Sequence, residues 1–287
     1  MKDKVFAEGF IISMRIGTLS DLHIDRNKWE LEDGETTLSI LSTLIKEKAV
    51  DVLLIAGDIS NHYLESHAFL EKLAEESRIP VKFVPGNHDY WAKEHDITDS
   101  HEINDFFNKQ SYSLVGKPYD IDDNWAVVGT PGWYDYGYAD QDKYSEAQFE
   151  KKKYGFASWN DLHFVNWNQK DKDVSQAMLN QLYRDLHSVK DKKIILMTHV
   201  ATHPEFVVPL PHRIYNYANA FLGAKGYEAV YNDFESIKYS IMGHVHFRKV
   251  VRESERTFIS PCLGSSKHWT DKRLKNQLEK SLVTFDL

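Results

Sequence analysis

Eight short apolar runs, most of them closed by a cluster of glycine and polar residues, punctuate this chain and alternate with stripes of helical period. Residues 15–19 run into Ser-Asp-Leu-His23, 52–56 into Gly57-Asp58, 81–84 into Pro-Gly-Asn-His-Asp89, and 125–128 into Gly-Thr-Pro-Gly132. Residues 194–197 precede Thr198-His199 and 239–242 precede Gly243-His-Val-His246, with further runs at 257–260 and 282–285. Between them Leu38, Leu41, Leu44 and Ile45, then Phe69, Leu70 and Leu73, and then Leu179, Leu182, Tyr183 and Leu186 recur at the spacing of one helix face. Short strands alternating with helices are the pattern of an α/β fold. In such sheets ligands bind beyond the carboxyl ends of the strands, where these polar clusters fall, so the clusters are expected to converge.

Composition narrows the class. Hydrophobic residues are 42% and charged residues 27% of 287, with no Gly/Ser or Pro-rich tract, which excludes a disordered, collagen-like or coiled-coil chain. With no internal repeat and no linker, residues 1–287 read as a single domain. Lys and Arg number 35 against 43 Asp and Glu, a net charge of −8, which argues against a protein built to hold polyanions such as nucleic acid. The single cysteine, Cys262, cannot form an intramolecular disulfide and reads as a small buried hydrophobe. No run is long enough for a membrane span, and Glu8 interrupts the apolar N-terminal patch, so the expected compartment is the cytoplasm. Because a strand opens directly after Met14, Met14 is the expected native start and residues 1–13 an extension.

Two segments break the alternation. Residues 133–170 carry eleven aromatics between Trp133 and Trp167, and residues 202–233 carry His203, Pro204, Pro209, Pro211, His212 and Arg213 with several tyrosines. Insertions placed like these form either a lid over a site or a satellite core. His212-Arg213 is a candidate contact for substrate oxygens, and Lys151-Lys-Lys153 reads as a solvated helical face.

The clusters bring together Asp21, His23, Asp58, Asn87, His88, Asp89, His199, His244 and His246. Carboxylates, an amide oxygen and imidazoles form the mixed oxygen and nitrogen donor set of borderline metals such as Mn, Fe, Zn, Ni or Co. Residues i and i+2 at a strand end share a face, so Asp21 with His23, and His244 with His246, can point into one site. Taken singly, each cluster reads as an ordinary cap or turn; it is their recurrence that argues for a site. His199 directly follows its apolar run and is preferred over His203 as the candidate ligand.

The ordered series D-x-H, G-D, G-N-H-D, H and G-H-x-H, spanning Asp21 to His246, resembles the calcineurin-like metallophosphoesterase superfamily. The resemblance implies a four-layer αββα sandwich, two mixed sheets flanked by helices, with two metal ions between strand ends and Mn or Fe favoured. It implies that Asp21, His23, Asp58 and His246 hold one ion and Asp58, Asn87, His199 and His244 the other, with Asp58 shared. A hydroxide between the ions would attack phosphorus in line, His88 would stabilise the transition state or protonate the leaving oxygen, and Asp89 would orient and charge His88. The segment Gly57-Asp-Ile-Ser-Asn-His-Tyr63 lacks the arginine of the Ser/Thr protein phosphatase branch, and Asn61 stands where purple acid phosphatases place a tyrosine ligand. The implied activity is hydrolysis of a small phosphodiester or phosphomonoester such as a nucleotide. The alternatives are a catalytically silent scaffold, against which the complete motif set argues, and a nuclease, against which the net charge argues.

Overall fold

The computed structural model describes residues 13–27, 29–92 and 97–287. Most of the expected N-terminal extension, residues 1–12, lies outside the described residues, as does His95. The chain runs β1 (Arg15–Leu19), α1 (Thr37–Glu47), β2 (Val52–Ile55), α2 (Tyr63–Ser77), β3 (Val81–Phe83), α3 (Ser100–Asn108), β4 (Tyr119–Asp120) and β5 (Trp125–Thr130). It continues through α4 (Glu146–Phe149), the hairpin β6 (Lys153–Tyr154) and β7 (Ala157–Ser158), α5 (Asp161–Phe164), α6 (Asp171–Ser188) and β8 (Lys193–Thr198). The last elements are α7 (Tyr215–Ala218), α8 (Ala229–Asp233), β9 (Ile237–Met242), β10 (Arg248–Glu253), β11 (Arg256–Pro261), α9 (Leu274–Ser281) and β12 (Val283–Asp286).

The strands form two mixed sheets, ordered β12-β1-β2-β3 and β10-β11-β9-β8-β5-β4, beside the small β6-β7 pair. Their central strands are parallel, while β12, β10 and β4 run antiparallel to their neighbours at the edges. The continuous apolar runs follow from this arrangement, because a strand between another sheet and a helix is buried on both faces. In β2, Val52 and Leu54 join Ile16, Val84, Val127, Ile195, Met197 and Ile241 in one apolar layer, while Leu53 and Ile55 face a second with Leu41, Leu44, Leu70 and Leu73 from α1 and α2. The same alternation divides β8, with Ile195 and Met197 in the first layer and Ile194 and Leu196 in the second. The result is the expected four layers of helix, sheet, sheet and helix.

Helix starts follow local chemistry. Thr36 and Ser39 form a reciprocal capping box at α1, and the His62 ring accepts from the Leu64 N–H at α2. The two sheets meet at one corner, where Ser20 beyond β1 bridges Cys262 beyond β11 and the Leu263 N–H donates to the Ser20 carbonyl at 2.8 Å. Cys262 is buried there, as expected. No helix among the described residues is long and apolar enough to cross a membrane.

Both insertions are largely core. Trp133, Tyr134, Tyr136 and Phe149 from the first and Tyr217, Phe221, Tyr227 and Tyr231 from the second are buried, and rings such as Tyr136 and Phe221 meet across them. At Lys151–Lys153 the expected solvation holds for Lys151 and Lys153, which are exposed, but the expected helix is corrected to a turn entering β6 at Lys153. Lys152 turns inward to pair with buried Asp171 at 2.9 Å, which also accepts from Trp133 Nε1 and the Tyr136 hydroxyl. A charge run reads as a surface feature only until one member finds a buried partner.

Candidate metal centre

The polar clusters converge at the corner where the sheets meet. Asp58 is central and fully buried. One oxygen, Oδ2, has no hydrogen-bond partner, and the other accepts from the His88 backbone N–H at 2.9 Å. Asp21, His23, Asp58 and His246 each bring a donor atom into one group spanning 4.8 Å or less, and Asp58, His199 and His244 form a second such group. The Asn87 side chain completes the second, its Oδ1 lying 2.9 Å from His244 Nδ1 and 3.1 Å from His199 Nε2.

The outer hydrogen bonds fix which atoms face inward. His199 Nδ1 donates to the Ala56 carbonyl at 2.7 Å and His244 Nε2 to the Phe221 carbonyl at 2.8 Å, so His199 Nε2 and His244 Nδ1 point at each other across 3.2 Å. The Asn87 amide donates to both oxygens of Asp161 at 3.0 and 3.1 Å, which turns Oδ1 into the cluster. Asp58 Oδ1 lies 3.4 Å from His199 Nε2. Four electron-rich atoms brought this close are stable only around positive charge, so the residues present suit a cation. The titration of the group agrees with that: burial by itself would lower the His199 pKa, but Asp58 overrides it and raises it to about 9, while burial pushes His23 and His244 down to about 4. Burial works against Asp58 as well, yet His199 and His88 hold it well below the usual carboxylate range. In the first group His23 Nε2 and His246 Nε2 face each other at 3.0 Å, and His246 Nε2 lies 3.5 Å from Asp21 Oδ1.

The local backbone is unusual. Asp21, His23, Asp58, His244 and His246 all adopt positive φ, between 44 and 71°. Such left-handed residues cost on the order of 1–3 kcal/mol each and persist only where the surroundings dictate them. The i, i+2 expectation is met in outcome but corrected in origin, since both pairs lie past the strand ends in left-handed loops rather than on a pleated strand. The loops after β2 and β3 also touch, for a Cβ at Gly86 would sit 2.1 Å from Asp58 Oδ1 and one at Gly57 2.5 Å from the Gly86 nitrogen. Only glycine permits that approach.

The profile of the calcineurin-like phosphoesterases matches residues 14–248. The chain belongs to that family. A probable cyclic nucleotide phosphodiesterase of Fibrobacter succinogenes is 30% identical over 79 residues, 26% of this chain and 31% of that protein, so the match spans under a third of its length. In fold the chain is similar to the phosphopantetheinyl hydrolase of Mycobacterium tuberculosis, with a TM-score of 0.70 at 16% identity, covering 90% of this chain and 92% of that one. It is also similar to a dimetal phosphatase of Danio rerio, with a TM-score of 0.50 at 16% identity over 86% of each chain.

In this member of the family His88 and Asp89 part company. The His88 ring packs against Trp91, tilted by 32° with centroids 4.2 Å apart, and its Nδ1 donates to Asn61 Oδ1 at 2.7 Å, leaving Nε2 4.0 Å from Asp58 Oδ2. Asp89 does not touch that ring, which corrects its expected role. Its carboxylate accepts from the backbone N–H groups of Asp58 at 2.7 Å, Ile59 at 3.2 Å and Gly86 at 2.8 Å, and from the Ser66 hydroxyl at 2.6 Å. Burial and the neighbouring Asp58 push its pKa up to about 7. Asp89 therefore ties the loops after β2 and β3 together, and Asn61 is the ring's partner.

His203 lies away from the cluster, paired with Glu253 at 3.2 Å, so His199 is the histidine of that segment at the site. His212 accepts from the Ile214 and Tyr215 N–H groups, and Arg213 is not among the residues lining the cavity of about 660 Å³ that opens on Asn87, His88, His244 and His246. The arginine at that cavity is Arg26, whose guanidinium lies 3.3 Å from His88 Nδ1 and over the Trp91 ring. Sequence reasoning passed over Arg26, although it stands three residues after His23. It also passed over Asp161, which holds Asn87 and accepts from Trp91 Nε1, Tyr134 and Trp159 Nε1 at 2.6–2.9 Å. The aromatic insertion thus serves as a core and, through Trp159, Asn160 and Asp161, as a wall of the cavity.

Proposed function

We propose that this chain hydrolyses a small phosphodiester or phosphomonoester with two divalent ions. Asp21, His23, Asp58 and His246 would hold one and Asp58, Asn87, His199 and His244 the other. The observation that carries the reading is the inward set of Asn87 Oδ1, His199 Nε2 and His244 Nδ1, each fixed by a hydrogen bond at the far atom of its own side chain, with Asp58 Oδ1 3.4 Å from His199 Nε2. Bound there, the ions would supply a nucleophilic water at neutral pH and offset charge on the phosphoryl oxygens. His88 Nε2 faces Asp58 at the cavity and is the atom placed to give a proton to the leaving oxygen, while Asn61 keeps the Nδ1 proton and sets the ring angle. Burial lowers the His88 pKa well below its usual value, and the negative charge of a bound phosphoryl group is the partner that favours the protonated ring. Trp159 and Tyr215 in the same cavity suit a base or another flat apolar group. The name of the Fibrobacter relative, a probable cyclic nucleotide phosphodiesterase, supports a diester of that kind.

The test is hydrolysis of bis-p-nitrophenyl phosphate and p-nitrophenyl phosphate by metal-stripped protein with Mn²⁺ restored, beside Asp58→Asn and His88→Ala. Turnover by the parent and a loss of about 100-fold or more in both variants is expected. A parent that binds two ions and cleaves neither ester would reject the reading. We also propose that residues 14–287 are one folding unit, because β12 pairs with β1 at the opposite end of the chain.

A further inference from the structure

A second cavity, of about 390 Å³, opens against His23 and His246 and shares Arg26 with the larger one. Its remaining wall includes Lys267 and Lys272, and no Asp or Glu lines it. Three cations around one cavity stand out in a chain of net charge −8, since like charges repel unless an anion offsets them. Their own partners do not offset them. Among the described residues no carboxylate lies within ion-pair distance of Arg26, Lys267 or Lys272, and the Lys272 ammonium donates to the Ser266 carbonyl.

The wall is braced. Asn27 donates to the Leu22 and Gly264 carbonyls at 3.0 and 2.9 Å and accepts from the Ser266 N–H at 2.7 Å, tying the loop after β11 to the loop after β1. Trp29 stacks on Trp269 behind it, with ring planes 9° apart. A cation-lined recess that abuts the candidate metal centre is placed for negative charge on the same molecule whose phosphoryl group sits at that centre.

We propose that this recess is an anion subsite that takes a second phosphate of the substrate, beyond the group being cleaved. The preferred substrates are then phosphoric esters carrying two phosphates, with the flat or apolar part in the cavity of Trp159 and Tyr215. This rests on the reading that the scissile phosphoryl group lies at the Asp58 cluster.

Pyrophosphate binding to metal-stripped protein, followed by calorimetry, tests the subsite without hydrolysis. The parent should bind pyrophosphate with an affinity that falls as NaCl is added, and Lys267→Gln and Lys272→Gln should each weaken it by about tenfold. Lys267 is exposed, so its variant folds whatever becomes of Lys272, and circular dichroism checks both. Equal affinity in parent and Lys267→Gln, or no binding by the parent, overturns the subsite. With Mn²⁺ restored, kcat/KM for adenosine 3′,5′-bisphosphate should exceed that for adenosine 5′-monophosphate by about tenfold, and Lys267→Gln should erase most of that preference. Equal use of the two nucleotides by the parent overturns the assignment to substrate. A parent inactive on every ester while still binding pyrophosphate would reject the hydrolase reading and leave the subsite standing.

Discussion

At the scale of single residues, the site depends on groups that hold the candidate ligands in place rather than on the ligands alone. Asp161 is buried beside Asn87 and accepts from the amide nitrogen of that side chain at both carboxylate oxygens, as well as from three aromatic residues. Replacing it by Asn puts an amide against an amide and removes the reason for Asn87 Oδ1 to face inward. Asp161→Asn should weaken Mn²⁺ binding by about 10–100-fold, measured by titration into stripped protein, with the secondary structure unchanged. Unchanged affinity would show that Asn87 is held by other means. Asn61 and Asp89 separate in the same way. Asn61→Ala frees the His88 ring and should lower kcat with little effect on the melting temperature. Asp89→Asn removes a carboxylate that holds two loops through five hydrogen bonds and should cost about 2–3 kcal/mol of stability, read from denaturant unfolding. An Asp89 variant that loses turnover and keeps full stability would restore the role expected from the sequence.

At the scale of elements, what could be read depended on whether a segment's burial leaves a mark in its composition. All eight apolar runs became strands, because β1, β2, β8 and their neighbours are covered on both faces and so carry apolar residues without interruption. The strand Arg248–Glu253 escaped because it is an exposed edge, rich in Arg and Lys, with no apolar run to announce it. The two-residue strands at Tyr119–Asp120 and Lys153–Tyr154 carry too little pattern to be seen. The members of the polar clusters were legible as residue types at strand ends, but their supports were not. Asp161 reaches the site from a distant loop with no motif beside it, while Asn61 and Arg26 each stand three residues after a candidate ligand, Asp58 and His23, where their contact with the His88 ring is set by tertiary structure. The five left-handed residues were equally hidden, since Asp and His favour positive φ more than most side chains do but adopt it too seldom for identity alone to announce it.

At the scale of the whole molecule, the candidate ligands come from loops of both sheets, so ions held by them would join the sheets. Restoring Mn²⁺ at about 1,000 times its dissociation constant should stabilise the fold by about 4 kcal/mol, seen as a higher melting temperature than in chelator. The unfolding should remain a single transition in both conditions, because β1 at one end of the chain and β12 at the other share a sheet. Two separate transitions would divide the chain into independent units. An unchanged melting temperature would mean that ions bind folded and unfolded chains alike.

The spread of the cluster along the chain also sets an order of events. Asp21 and His246 lie far apart in the sequence, and each is held at the corner by a loop that leaves a different sheet. An unfolded chain therefore offers these groups as scattered, weak chelators, and the loop-closure entropy of gathering them falls to the folding of the sheets. Capture of an ion by these groups would then follow the folding of the sheets, and an ion held tightly would certify that both halves of the polypeptide have found each other.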